Sequence, residues 1–214
     1  PNIDSSYRRE RANDELPQSA AGRTVMTTEP KFIPDDAVQI SLSDNATLRV
    51  KMIDCVGYIV PDALGQTEDD KPRMVRTPWS DEPMPFKEAA EMGTRKVINE
   101  HSTIGMLVTT DGSIGDIPRE SYIEAEERVV SELRRINKPF AVILNSANPG
   151  NEATTALAYE LERKYKAPVA LVSCLDLDST DIRHILELVL LEFPVREMKI
   201  TMPAWTAALD KGHW

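Results

Sequence analysis

Asp54 and Gly57 have the residue types and the spacing of a phosphate-responsive site. They form an Asp-x-x-Gly sequence directly after an apolar run that ends at Ile53. A carboxylate at a strand end can hold Mg²⁺ through water, because this ion keeps most of its hydration shell. A glycine lets its backbone N–H approach a terminal phosphate without a Cβ in the way. The bare pattern is more often a turn than a site, but its place after a predicted strand favours a magnesium–nucleotide site.

Thr27 and Thr28 are the candidate partners of Asp54. They lie in residues 17–36, where several prolines and a glycine predict an irregular loop. A threonine hydroxyl from such a loop can complete Mg²⁺ coordination when a γ-phosphate is present, which orders the loop. We therefore predict Asp54 and Thr28 as metal ligands and count Thr27 and Gly57 with them as catalytic. Without the neighbouring Asp-x-x-Gly sequence, the residues alone favour two exposed turn threonines instead.

The loop at residues 145–148 has the position of a base-recognition loop. In GTP-binding proteins it reads Asn-Lys-x-Asp, and the aspartate accepts two hydrogen bonds from guanine. Here Asn145 is kept, Ser146 replaces the lysine and Asn148 replaces the aspartate. A neutral amide cannot accept both bonds, so we expect guanine specificity to be lost. We predict that Asn145, Asn148 and Ser173 contact the nucleotide, and an ordinary turn rich in asparagine is the alternative.

The elements that must position these residues alternate along the chain. Residues 38–42 and 48–53 alternate in polarity around a short polar turn, which predicts a hairpin at the edge of a sheet. Three apolar runs predict buried strands at 104–108, 140–144 and 169–172, and helical spacing predicts helices at 86–101, 121–136, 152–165 and 182–193. Such alternation is typical of an α/β fold with a mostly parallel sheet and helices on both faces.

In a sheet of this kind ligands bind beyond the carboxyl ends of the strands. Asp111 also follows a predicted strand, but the sequence assigns it no chemical role. Ser121 and Glu124 have the spacing of a helix-capping box. Residues 58–85 are rich in proline and acidic residues, which predicts a long loop that is functional or mobile.

Composition narrows the classes of function. The 214 residues are 41% hydrophobic and carry a net charge of −10. That charge argues against sequence-independent nucleic-acid binding, because no surplus of Lys and Arg could replace phosphate counterions. The three histidines are scattered along the chain, which disfavours a zinc site. No apolar run approaches the roughly 20 residues of a transmembrane helix.

The phosphate-binding sequence Gly-x-x-x-x-Gly-Lys-Ser/Thr occurs nowhere in the chain. In the P-loop NTPase fold that loop follows the first strand, upstream of the edge hairpin. We therefore expect the chain to be an excerpt that lacks the first strand and this loop, and to be inactive by itself. We predict one truncated domain at residues 1–194 and the start of a connection to another domain at 195–214.

Long runs of residues carry a resemblance to a known family. They include residues 13–22, 27–32, 54–58, 77–79, 88–91, 93–98, 109–116 and 122–128. Together these runs resemble the stage IV sporulation protein A family, spore-coat morphogenetic ATPases related to translation-factor GTPases. The resemblance spans most of the chain and implies ATP and Mg²⁺ as cofactors. By position it makes Thr27 and Thr28 sensor threonines and Asp54 a Mg²⁺-associated carboxylate.

The resemblance also implies a cellular role. Members act in the cytoplasm of the mother cell of a sporulating bacterium, on the outer forespore surface. After ATP hydrolysis they self-associate into a polymer that forms the base layer of the spore coat. The implied partners are a small amphipathic membrane-anchor peptide and other spore-coat proteins.

Two other interpretations stay open. In one, the domain is a nucleotide-independent structural assembly module with a degenerate GTPase-like fold. In the other, it is an unrelated α/β domain with chance motifs. Measurements of ATP turnover and sedimentation on variants at Asp54, Thr27 and Thr28 distinguish the nucleotide-independent assembly module from an ATPase switch.

Overall fold

The structure, a computed structural model, describes residues 31–43, 46–61, 63, 65–68, 71–77 and 80–193. Thr27, Thr28 and the predicted connection at 195–214 lie outside these residues. The strands are β1 (Lys31–Ser43), β2 (Ala46–Asp54), β3 (Thr67–Glu68), β4 (Lys71–Pro72), β5 (Met74–Thr77), β6 (Ser80–Pro85), β7 (Gly105–Thr110), β8 (Phe140–Asn145) and β9 (Val169–Val172). The helices are α1 (Phe86–Lys96), which continues into a π-helical turn (Val97–His101), α2 (Glu120–Arg135), α3 (Glu152–Tyr165) and α4 (Ser179–Leu191).

A parallel sheet forms the centre of the described fold. β8 lies between β7 and β9 and pairs with both in parallel. Five of the six β8 residues are buried, and only Asn145 at its end is partly exposed. A strand covered on both faces needs an unbroken apolar run, which explains why β8 shows no alternation in its sequence. The predicted parallel sheet is confirmed.

Helices cover both faces of this sheet. Val142 and Leu144 of β8 point into one cluster with Leu133 of α2 and Leu161 of α3. Ile143 of β8 points the other way, into a second cluster that contains Ile185 of α4 with two residues of β9. Successive strand residues face opposite sides, so one strand contributes to both cores.

A buried carboxylate joins the sheet to α2 and α3. Glu126 of α2 is 3% exposed. It accepts hydrogen bonds from the Thr109 hydroxyl of β7 and from the Arg119 guanidinium. The Tyr165 hydroxyl of α3 donates a fourth bond, at 3.1 Å, and burial together with the nearby Glu126 charge raises the Tyr165 pKa. A buried charge is tolerated only when paired and hydrogen-bonded, so these partners fix the helices on β7.

The predicted hairpin is confirmed, but two of its features differ from expectation. β1 begins at Lys31, so the end of the stretch 17–36 is strand rather than irregular loop. Pro34 fits there because the register shifts between Ile33 and Val38, and a proline is tolerated where ladder bonds are already interrupted. Among the described residues, the hairpin is a two-stranded sheet of its own rather than the edge of the larger sheet.

The expectation of a long loop at residues 58–85 was wrong in part. Two short antiparallel pairs, β3 with β4 and β5 with β6, occupy its second half. Their prolines are compatible with strands because each strand pairs on one side only and needs few N–H donors. Burial along β5 alternates and ends at the buried Thr77. This alternation was the signal for a strand, and the many prolines and acidic residues of the segment obscured it.

Helix α2 is confirmed, but its predicted cap is wrong. It begins one residue earlier, with Arg119 in the capping position and no side-chain cap. The Ser121 N–H bonds to the Pro118 carbonyl, so Ser121 is already inside the first turn. The capping box lies instead at α4, where Asp178 and Asp181 exchange hydrogen bonds with each other's N–H groups.

Within the ranges described above, no helix has the length and apolar character to cross a bilayer.

Substitution of Glu126 by alanine should destabilise the domain by about 3–5 kcal/mol, because the Arg119 charge, with its side chain only 14% exposed, would lose its partner. The neighbouring Glu127 offers a matched control. Its side chain is 53% exposed and pairs with Lys164 at 2.7 Å, so Glu127→Ala should cost less than about 1 kcal/mol. Urea denaturation of the two variants measures the difference, and equal costs would show that the Glu126 network does not hold the helices.

Candidate functional site

The carboxyl ends of the three parallel strands lie level with one another. Thr110 of β7 is in register with Asn145 of β8, and Asn145 with Val172 of β9. The loops that follow these residues therefore form one cluster at a single edge of the sheet. This is the edge at which open α/β sheets bind ligands.

Asn145 joins the β8 loop to the β9 loop. Its side-chain oxygen accepts a hydrogen bond from the Cys174 N–H at 2.9 Å, and the next residue, Ser146, donates its N–H to the Val172 carbonyl at 2.9 Å. Ser173 donates its hydroxyl to Asp176 at 2.7 Å. The structure thus brings the loops of Asn145 and Ser173 together, with the Ser173 hydroxyl engaged within its own loop.

Asn148 is exposed at the tip of the same loop. Its N–H bonds to the Ser146 hydroxyl at 3.0 Å, and its carbonyl accepts from the Asn151 N–H at 3.1 Å. Its side-chain amide makes no hydrogen bond with another of the described residues. The backbone of Asn148 is therefore held while its amide stays available to a ligand.

Asp111, which sequence reasoning left without a role, is the most heavily hydrogen-bonded residue of this cluster. Its carboxylate accepts from the Ser146 hydroxyl at 2.7 Å and the Thr154 hydroxyl at 2.9 Å. It also accepts from the N–H and the hydroxyl of Ser113. Burial alone would raise the Asp111 pKa, but these hydrogen bonds outweigh it and lower the pKa to about 2. The sequence signal for this contact was Asp111 at the end of one predicted strand and Ser146 at the end of the next.

Asp54 is the last residue of β2, and Gly57 lies three residues beyond it, outside the strands and helices. Asp54 is exposed, and its carboxylate makes no hydrogen bond or ion pair with another described residue. Gly57 has a φ of +82°, and a Cβ there would meet nothing within 4 Å. Backbone conformation rather than space is therefore what favours glycine at this position.

Tyr58 fixes the segment that follows Gly57, and sequence reasoning missed it. Its ring is buried, and the Arg128 guanidinium of α2 lies 3.8 Å from the ring centroid. Arg128 also donates to the Glu91 carboxylate of α1 at 2.8 Å. Burial and the nearby Glu132 carboxylate raise the Tyr58 pKa. An aromatic residue directly after the Asp-x-x-Gly sequence was the signal that could have found it.

The predicted site residues thus fall into two groups. Asn145, Asn148 and Ser173 share the loop cluster, whereas Asp54 ends a separate sheet. In the part of the chain that the structure describes, no group of three or more His, Cys, Asp or Glu residues could hold a metal ion. The single exposed carboxylate of Asp54 has the hard oxygen donors that Mg²⁺ accepts through water, so this donor fits the predicted ion.

Comparison with known proteins identifies the relatives of this fold. Residues 1–194 match the model of the family described as stage IV sporulation protein A, ATPase domain. The chain belongs to the stage IV sporulation protein A family. The family confirms the resemblance carried by the sequence runs, and an ATPase domain is consistent with the parallel sheet and its helices.

Three curated relatives carry the name stage IV sporulation protein A. The chain is 52% identical to the protein of Bacillus anthracis, 50% to that of Clostridioides difficile (strain 630) and 50% to that of Bacillus subtilis (strain 168). Each comparison covers 100% of this chain and 44% of the relative, so the chain spans less than half their length. No solved structure matches the chain.

The low pKa of Asp111 makes a pH-dependent prediction. Because folding lowers this pKa from 3.8 to about 2, the ionised carboxylate stabilises the fold above pH 4, and that contribution is lost as the pH falls toward 2. Asp111→Asn should therefore be less stable than wild type at pH 5–7, with the difference shrinking below pH 4.

Urea midpoints measured across this pH range test the prediction. Glu160→Gln, on the exposed side of α3, removes the same charge as a control and should track wild type at neutral pH. A stability difference for Asp111→Asn that persists unchanged to pH 2 would contradict the assigned hydrogen bonds.

Proposed function

We propose that the protein containing this chain binds and hydrolyses ATP with Mg²⁺, and that the nucleotide state controls its assembly during sporulation. The chain's membership in a family with an ATPase domain supports the nucleotide. The observation that carries the proposal is the loop 145–148, which is held by its backbone at the ligand-binding edge of the sheet while the Asn148 amide stays free.

The chemistry of that amide favours adenine. An asparagine side chain can donate and accept at once, and it pairs with the donor N6 and acceptor N7 of adenine. Guanine instead offers two neighbouring N–H donors, which a carboxylate accepts. Asn145 adds an amide donor at the same loop, because its oxygen is already bonded to the Cys174 N–H.

The ion would be held by Asp54 through water and by the Thr28 hydroxyl, with Thr27 beside it. When bound, Mg²⁺ neutralises phosphate charge during phosphoryl transfer. Gly57 would bring its backbone N–H close to the terminal phosphate, which its positive φ allows. Tyr58 holds the segment after Gly57 against α2, so these groups start from a fixed backbone.

We further propose that a strand and a phosphate-binding loop outside the described residues complete a P-loop NTPase fold. Two observations support it. Among the described residues, β7 is an outer strand of its sheet, and on the α4 face its Met106 and Val108 are 39% and 60% exposed. A parallel strand between β2 and β7, followed by the loop and a helix, would pair this edge and cover both side chains.

The names of the relatives support a role in sporulation. The proposed output is self-association into a polymer that forms the base layer of the spore coat, on the outer forespore surface in the mother cell. Proposed partners are a small amphipathic membrane-anchor peptide and other coat proteins. A nucleotide-independent assembly module is the alternative that the following experiment separates.

In the full-length protein, Asp54→Ala should lower ATP turnover about 10- to 100-fold, because it removes a carboxylate that would hold the ion through water. The double variant Thr27→Ala/Thr28→Ala should lower turnover at least as much, because it removes the hydroxyl that would bind the ion directly. Sedimentation with and without ATP measures the polymer in parallel. Asp81→Ala, at an exposed aspartate of β6, is the control and should keep wild-type turnover.

Turnover that survives both changes would remove Asp54 and the threonines from the site. Polymer that forms equally with and without nucleotide would support the assembly-module alternative instead.

Asn148→Asp should shift the nucleotide preference toward GTP. The ratio of kcat/KM for ATP to that for GTP should fall about 10-fold or more, as one paired hydrogen-bond contact is exchanged for another. Asn151→Asp is a matched control three residues away, since Asn151 caps α3 through the Ala153 N–H and aspartate caps equally well. An unchanged ratio in Asn148→Asp would exclude Asn148 from base recognition.

A further inference from the structure

The Asp111 carboxylate divides its hydrogen bonds between two directions. One oxygen accepts from the N–H and the hydroxyl of Ser113, in its own loop. The other accepts from the Ser146 hydroxyl at 2.7 Å and the Thr154 hydroxyl at 2.9 Å, in the β8 loop and in α3. Hydrogen bonds to an ionised acceptor are shorter and stronger than those between neutral groups. Asp111 therefore fixes the positions of the Ser113, Ser146 and Thr154 hydroxyls.

Two of those groups lead directly to the loop 145–148. The Ser146 side chain is 1% exposed, and its oxygen accepts the Asn148 N–H at 3.0 Å. The Ser113 oxygen accepts the Ala147 N–H at 2.9 Å. The backbone N–H groups of both Ala147 and Asn148 are therefore each one hydroxyl away from the same carboxylate.

Capping of α3 does not account for this arrangement. Asn151 already caps that helix by accepting the Ala153 N–H at 2.8 Å, and Asp111 receives a hydroxyl from α3 rather than a backbone N–H. Asp111 also lies on a different loop from Asn148, and it reaches the Asn148 N–H only through the Ser146 hydroxyl. The carboxylate thus acts on the loop without a direct hydrogen bond to Asn148.

We propose that Asp111 is a positioning residue for base recognition, which holds the backbone of Ala147 and Asn148 through Ser113 and Ser146 and thereby sets the affinity for the purine base. This inference rests on the proposed function, because it assumes that the loop 145–148 binds the base of ATP. Loss of the carboxylate should loosen binding of the nucleotide while the catalytic groups at Asp54 keep their own positions.

Steady-state ATP hydrolysis by the full-length protein tests this positioning role. Asp111→Asn should raise the KM for ATP about 10-fold and leave kcat within about 2-fold, the pattern of lost binding rather than lost transition-state stabilisation. Ser146→Ala should raise the KM by the same or a smaller factor, since it breaks the path to Asn148 and leaves the path through Ser113 to Ala147. The double variant should be no worse than the more affected single variant, because both changes remove one connection.

Thr154→Val is the matched control. It removes a hydrogen bond to the same Asp111 oxygen but not one that leads to Ala147 or Asn148. It should lower thermal stability and leave the KM near wild type. A general structural role for Asp111 would instead make Thr154→Val and Asp111→Asn alike in KM.

The outcomes separate the two proposals. If wild type neither binds nor hydrolyses ATP, the proposed function fails and this inference falls with it. If wild type is active and Asp111→Asn keeps a normal KM, Asp111 is not a positioning residue. The same conclusion follows if the KM effects of Asp111→Asn and Ser146→Ala multiply in the double variant. Should Asp111→Asn not fold, a normal KM in Ser146→Ala overturns the inference by itself.

Discussion

The buried charge of Glu126 is the constraint on which the arrangement of sheet and helices depends. A carboxylate with 3% exposure needs every hydrogen bond it can accept, and its donors come from β7, from the segment before α2 and from α3. Loss of Arg119 would leave the Glu126 charge unpaired in the core, and loss of the Thr109 or Tyr165 hydroxyl would leave it short of a hydrogen bond. The Glu126 side chain therefore fixes the relative positions of β7, α2 and α3 more tightly than apolar packing alone would.

The loops at the strand ends depend on that specification. Asp111 follows β7 while Thr154 begins α3, so their hydrogen bond at 2.9 Å exists only because the strand and the helix are held at a fixed distance. The same holds for Ser146 at the end of β8, whose bond to Asp111 joins two strands already in register. The Glu126 carboxylate fixes the sheet and helices, and the Asp111 carboxylate fixes the loops. Each accepts hydrogen bonds from donors on different elements.

Sequence reasoning predicted the regular part of this structure and missed most of its polar connections. The bounds of α3 and β9 agree with the predicted 152–165 and 169–172, because apolar period and turn residues are local signals. Apart from Arg119 and Ser113, the hydrogen-bond partners of Glu126 and Asp111 are 17 to 43 residues away in the chain. Such pairings are invisible until the topology is known. The short strands after residue 66 were obscured by their prolines.

Helix α2 connects the two groups of predicted site residues. Glu126 faces the sheet and α3, whereas Arg128, two residues on, faces Tyr58 and Glu91. Residues two apart lie on different sides of a helix, so one rigid element contacts both β7 with α3 and the segment after Gly57. A displacement of Tyr58 that shifted α2 would be resisted at Glu126. Nucleotide-dependent movement of the Asp-x-x-Gly segment is therefore compatible with this core only if Tyr58 separates from Arg128 and leaves α2 in place.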